Sequence, residues 1–192
     1  MATDSVSYAG PFLSTSATDL LSPAPALHAW LPDKQGASRP ATGLVLREMN
    51  GQDLENGFLD TLADLAEVQL TLEQAREVLR QRLRRDVRTY VACQDGRVVG
   101  TASLLVEQKF IHGGGRCGHI EDVVVQRTWQ GCGVAQALVR YAVQEARRLG
   151  CYKVILNCFE ALVPFYTRCG FRTHDTGMRL NLPVTPPSSE SM

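Results

Sequence analysis

The stretch that most restricts this chain is residues 120–139, IEDVVVQRTWQGCGVAQALV. A β-branched run, Val123, Val124 and Val125, gives way within a few residues to Gln130-Gly131-Cys132-Gly133-Val134-Ala135-Gln136, which leads straight into helical periodicity. A strand passing so directly into a helix belongs to layered α/β architecture. The turn between them has a chemistry of its own. The first amide N–H groups of a helix have no partner inside it, and the helix dipole adds partial positive charge there. Small residues leave those amides unshielded, which suits an anion such as a pyrophosphate. Gly131 and Gly133 let a ligand approach the backbone, and Ala135 keeps the first turn slim. The spacing is neither that of a P-loop nor that of a dinucleotide G-x-G-x-x-G. Taken alone, such a turn is as often plain structure as a ligand site.

The rest of the chain supports a single α/β domain over residues 42–182. Residues 43–49, GLVLREM, form a short strand. Leu54, Phe58, Leu62 and Leu65 share one face of a helix over 51–65, and Leu72, Ala75, Val78, Leu79 and Leu83 share a face of a second, opened by a Thr71/Gln74 capping box. Two β-rich runs flank Asp95-Gly96, a turn pair that accepts positive φ, and predict a hairpin. After Gly113-Gly114-Gly115 come a strand (119–126), a helix (133–149), a strand (152–159), a short helix around Phe165-Tyr166 and a last extended piece over 171–182. This order predicts an α/β sandwich around a mixed sheet. Residues 1–41, rich in Ser, Thr, Ala and Pro, read as a disordered or loosely ordered extension, and residues 183–192 as a flexible tail.

Composition excludes several partners. Twenty acids balance twenty bases, so no global field draws the chain to nucleic acid or an anionic membrane. No apolar run reaches the roughly 18 residues of a membrane span. The first 33 residues hold neither Lys nor Arg, which argues against a secretory signal or transit peptide, and the ending Glu190-Ser191-Met192 is not a peroxisomal address. Six cysteines without a C-x-x-C pair predict neither a disulfide framework nor a zinc site. A cytoplasmic location is expected, and no metal.

Gln130-x-x-Gly133-x-Ala135 after an apolar strand resembles the acetyl-CoA pyrophosphate loop of the GNAT acetyltransferases, and FYTRCGF, ending at Phe171, resembles that family's fourth-helix signature. EQKFIH, CGHIEDVVV, GCYKVILNC and FYTRCGF together resemble the branch that acetylates glucosamine 6-phosphate. The resemblance spans residues 43 to about 180. It implies the GNAT acyl-CoA N-acyltransferase fold, with acetyl-CoA as cosubstrate and D-glucosamine 6-phosphate as acceptor, in a cytoplasmic step towards UDP-N-acetylglucosamine.

It also implies roles. Val123, Val124 and Val125 would offer backbone groups to the pantetheine, and Gln130, Gly131, Cys132, Gly133, Val134, Ala135 and Gln136 would hold the pyrophosphate, with Asn157 and Tyr166 also on the cofactor side. Lys109, Phe110, Ile111 and His112 would lie along the sugar with Glu121 and Asp122, the latter bonding substrate hydroxyls or the amine. Two adjacent acids on a strand are expected on opposite faces. Tyr152 and Lys153 would bind the sugar phosphate from the partner subunit of a homodimer with shared sites, and Arg179 is a further phosphate candidate. The neutral amine would attack directly in a ternary complex. A backbone N–H near Val123 would polarise the carbonyl, and Tyr166, a phenol of pKa near 10, would protonate a thiolate of about 8.5. The sequence departs from the pattern at Asn157, where relatives commonly carry an acid, at Leu162, where they often carry Asn, and at Ala66 in place of a Thr. Pro164 fits only the first turn of its helix. Two other readings stay open: a GNAT enzyme for another amine (a protein N-terminus, Lys or polyamine), and a non-catalytic acyl-CoA-binding module.

Overall fold

The computed structural model describes residues 43–182; residues 1–42 and 183–192, which include both expected extensions, lie outside the described residues. Five strands form one sheet in sequential order: β1 (Val45–Glu48), β2 (Val87–Gln94), β3 (Arg97–Gln108), β4 (Arg116–Val125) and β5 (Cys151–Leu156). The first four are antiparallel neighbours, and β5 lies parallel to β4 after a crossover through α3 (Val134–Arg148). The mixed α/β sheet expected from the element order is what the chain forms.

Each face of the sheet is covered for a readable reason. In α3, Val134, Leu138, Val139, Ala142 and Ala146 recur at helical spacing, and all five are buried against Tyr90, Ala102, Leu104, Ile120 and Val125. The opposite face carries Val91, Cys93 and Val98 beneath α1 (Phe58–Ala63) and α2 (Leu72–Leu83). The α2 capping box forms as expected, the Gln74 amide donating to Thr71 Oγ1 at 3.2 Å and the Thr71 amide to Gln74 Oε1 at 2.9 Å. The Asp95-Gly96 turn also forms, with φ of 49° and 78°.

Three expectations are corrected. The single helix over 51–65 is two pieces, a 3-10 turn (Gly51–Leu54) and α1, broken at Gly57, whose φ is 96°. A Cβ there would sit 3.2 Å from the Val98 carbonyl, so only glycine lets the chain turn this close to β3. The apolar face of α2 is only partly covered: Ala75 is buried, while Val78 and Leu83 are exposed. The extended piece over 171–182 joins no strand among the described residues, and Met178, Leu180 and Leu182 stand in solvent.

Candidate active site

The register of β4 creates the site. Its pairing with β5 ends at Ile120 opposite Leu156, yet β4 continues to Val125. The two parallel strands therefore part, and the β5-facing backbone of residues 121–125 has no strand partner among the described residues. On its other edge β4 carries a bulge, where Thr101 opposes Val124 but Ser103 opposes Glu121. Asp122 sits in it with φ of 51°, a left-handed conformation that Asp tolerates better than most residues. The bulge also breaks strand alternation. Glu121 shares a face with its cross-strand partner Ser103, and Asp122 lines a cavity together with that same Ser103. Both acids thus fall on one side of the sheet, where simple alternation predicted two. Neither is buried: Asp122 is exposed and Glu121 partly so. His119 Nε2 lies 3.1 Å from Glu121 Oε1, but it is not aligned to donate.

Immediately after β4 the expected turn faces the gap. Gln130 Nε2 donates to the Val125 carbonyl at 3.3 Å, tying the turn to the strand end. Gly131 and Gly133 have φ of 77° and 80°, and a Cβ on either would meet nothing within 4 Å, so conformation and not space requires glycine. No side chain caps α3, and its bonding begins with the Ala137 amide on the Gly133 carbonyl at 3.0 Å. The amides of the first turn have no partner within the helix, the arrangement that in general suits an anion.

α4 (Val163–Arg168) brings Tyr166 to the same end, with Pro164 in its first turn as required. Tyr166 is 8% exposed and packs edge-on against Phe165 and Phe171, with ring centroids at 4.9 and 6.1 Å. Burial, aided by Cys158, Cys169 and the Glu121 carboxylate, pushes its hydroxyl up to about 12. This bears on the expected proton donation. An ordinary phenol already gives up its proton less readily than a thiol of about 8.5, and burial widens the difference. Tyr166 therefore stays protonated across the ordinary pH range and keeps its hydroxyl as a hydrogen-bond donor. The neighbouring thiols Cys158 and Cys169 are themselves raised by burial, so neither is primed as a thiolate. Asn157, exposed after β5, lies beside Gly177.

The other expected substrate residues collect elsewhere. His112 packs against Tyr152 at a tilt of 46° with ring centroids 4.7 Å apart, Lys153 Nζ lies 5.8 Å from the Tyr152 centroid, and Lys109 pairs with Glu107 at 2.6 Å. Phe110 and Ile111 project into solvent from the same loop. Lys153 is opposite Cys117, five positions before Asp122; at about 3.3 Å per residue the two lie roughly 16 Å apart along the sheet. One chain therefore divides the expected substrate set between opposite ends of β4. Arg179 joins neither group, and its Nε donates to Asn181 at 2.6 Å. Three further residues, Arg82, Thr89 and Ser103, were not anticipated, although hydroxyls at 89, 101 and 103 interrupt one face of an otherwise apolar hairpin.

Residues 55–171 match the Acetyltransferase (GNAT) family. The chain belongs to that family. Its activity is accordingly acyl transfer to an amine, and its mixed sheet is the family's fold. Among curated relatives, a glucosamine 6-phosphate N-acetyltransferase of Trypanosoma brucei brucei is 41% identical over 142 residues, covering 72% of this chain and 96% of that protein. A namesake from Dictyostelium discoideum is 35% identical, covering 76% and 94%. Among solved structures, the glucosamine-6-phosphate N-acetyltransferase of Arabidopsis thaliana superposes with a TM-score of 0.70 at 28% identity, covering 73% of this chain and 99% of that one.

Proposed function

We propose that this GNAT enzyme acetylates the 2-amine of D-glucosamine 6-phosphate, using acetyl-CoA and releasing CoA, as a step in UDP-N-acetylglucosamine formation. The observation that carries the reading is the parting of β4 from β5 beside both the uncapped α3 turn and Tyr166. Those parts suit the successive portions of an acyl-CoA: amides for the pyrophosphate, an open strand edge for the pantetheine amides, a phenol for the sulfur. The choice of amine is supported by relatives of that name that align over nearly their whole length.

Acetyl-CoA supplies the acetyl thioester. The β4 backbone near Val123 holds it and donates an N–H to its carbonyl oxygen. Asp122 accepts from the sugar amine or a hydroxyl. A sugar ammonium has a pKa of about 8, so a useful neutral fraction exists at pH 7 without a strong base. Tyr166 donates to the departing sulfur, and the proton that CoA finally carries is matched by the one the amine loses as the amide forms.

The phosphate is read by Lys153 and Tyr152 of a second copy, making a homodimer with shared sites. The separation of Lys153 from Asp122 by five register positions, roughly 16 Å of backbone along one chain, supports this by placing the two at opposite ends of β4. The open outer edge of β5 and the unpaired apolar residues Met178, Leu180 and Leu182 point the same way. A cytoplasmic location belongs to the same proposal. The deciding experiment is thiol release from acetyl-CoA with glucosamine 6-phosphate, glucosamine, a peptide amine and a polyamine. Strong preference for the phosphorylated sugar is expected; equal or better use of the other amines overturns the reading.

A further inference from the structure

We propose that Arg82 is a positioning residue for the acceptor sugar, acting on Asp122 through the hydroxyl of Ser103. Arg82 stands in the last turn of α2, and its Nη2 donates to Ser103 Oγ on β3 at 2.6 Å and approaches Thr89 Oγ1 on β2 at 3.3 Å. Among the described residues its charge meets no carboxylate directly. Ser103 Oγ in turn lies 3.5 Å from Asp122 Oδ2 on β4. The direction of this chain is determined by what each group can donate. A guanidinium only donates, so it occupies a lone pair of the Ser103 oxygen and leaves the hydroxyl proton for the carboxylate. The positive charge is thereby passed, by one hydroxyl, to an acid it does not touch.

Burial makes this more than a surface contact. Ser103 and Thr89 are 3% and 4% exposed, and they are register partners on neighbouring strands. Hydroxyls in such a place are costly unless bonded. Thr101, on the same face, is satisfied locally by the Tyr90 carbonyl at 2.9 Å, whereas the other two turn to Arg82. The three side chains and Asp122 form the polar end of a cavity of about 90 Å³, whose remaining walls include Leu54, Phe58, Leu62 and Val78. With Oδ2 held at that polar end, the exposed Asp122 can offer Oδ1 to a ligand. The backbone needs such help, because Asp122 occupies its bulge at φ 51° and such conformations persist where surroundings hold them. The packing of α2, with only Ala75 fully buried, gives its last turn few other fixed contacts.

This inference rests on Asp122 facing the acceptor, and the experiment separates the two ideas. With glucosamine 6-phosphate and acetyl-CoA, Arg82→Gln and Ser103→Ala should each raise KM for the sugar about tenfold. KM for acetyl-CoA should stay within about twofold, and Arg82→Lys should recover part of the loss. Introduced on top of Asp122→Ala, either substitution should cost nothing further in kcat/KM, which a loosened helix would not reproduce. Thermal unfolding of every variant checks that the comparison is made on folded protein, and Ser103→Ala is the mildest change available. Effects that add to those of Asp122→Ala, or that fall equally on both substrates, overturn the role of Arg82. If Asp122→Ala impairs sugar binding and the other two do not, the relay fails while Asp122 keeps its place. An Asp122→Ala protein with unchanged KM for the sugar removes both.

Discussion

Ile120 is the last residue of β4 to find a partner on β5, opposite Leu156, and everything distinctive about the site follows from the five positions beyond it that have no β5 partner. Parallel pairing kept to the end would leave no open β4 edge beside the α3 turn for a ligand's amides. Because α3 crosses between the two strands, its uncapped N-terminus opens at the same end. Tyr166 arrives there from the element after β5.

Tyr166→Phe should lower kcat about a hundredfold with little change in KM for acetyl-CoA, because the hydroxyl meets charge that grows only as the thiolate leaves. With its hydroxyl at about 12, ionisation of Tyr166 should impose no alkaline fall in wild-type rate below about pH 11. The rate should instead rise as the sugar amine loses its proton and then level off. A full pH–rate profile of both proteins checks this.

Lys153→Ala should raise KM for glucosamine 6-phosphate far more than that for acetyl-CoA, at a cost of about 1.5 to 3 kcal/mol for one charged contact. Lys153 is exposed on β5 and makes no ion pair among the described residues, so little in the fold should change.

Mixing Lys153→Ala with Asp122→Ala protein tests the shared site. After subunit exchange with random pairing, one site of each heterodimer is intact, and activity should return to roughly a quarter of wild type. Absence of recovery in a mixture shown to contain heterodimers would place both residues in one chain's site.

Gly100→Ala should destabilise the chain by about 1 to 3 kcal/mol through overpacking. The added Cβ would meet Leu138 at 2.9 Å, Val134 at 3.1 Å and Val125 at 3.2 Å, the contacts that seat α3 on the sheet. A lower thermal midpoint together with a raised KM for acetyl-CoA is expected, since Val134 begins the helix whose N-terminus is proposed to hold the pyrophosphate.

Asp53, 1% exposed, should govern part of the acid stability. Burial alone would raise its carboxyl, but the paired bonds from Arg47 at 2.6 and 2.7 Å, the Asn50 amide and the Arg47 charge outweigh that and hold it below the usual range. A lowered pKa stabilises the fold above the ordinary carboxylate value, and the contribution disappears as pH falls through the folded one. Urea midpoints of wild type should therefore drop as pH falls from about 5 through and below the ordinary carboxylate value, and those of Asp53→Asn should begin lower and change less.

Much of the fold was legible locally. The Thr71/Gln74 cap and the Asp95-Gly96 turn formed as written because each depends on residues within four positions. The glycine turn before α3 was legible for the same reason. Gly57 was misread: leucines at helical spacing ran across it, and only the nearby Val98 carbonyl, distant in sequence, makes the break necessary. The extended piece after Phe171 has strand-like residues but no strand beside it among the described residues.

The sequence by itself determined the order of elements, the glycine turn before α3 and the family, because turn chemistry, periodicity and short motifs are properties of neighbouring residues. Tertiary structure decided how those residues are distributed. The bulge at Asp122 turns both acids to one face, the end of β4–β5 pairing opens the gap, and the register of β5 sets Lys153 five positions along β4 from Asp122. Strand register arises from hydrogen bonds between segments far apart in the chain, and a shift of one residue reverses which side chains meet. No local pattern carries that information.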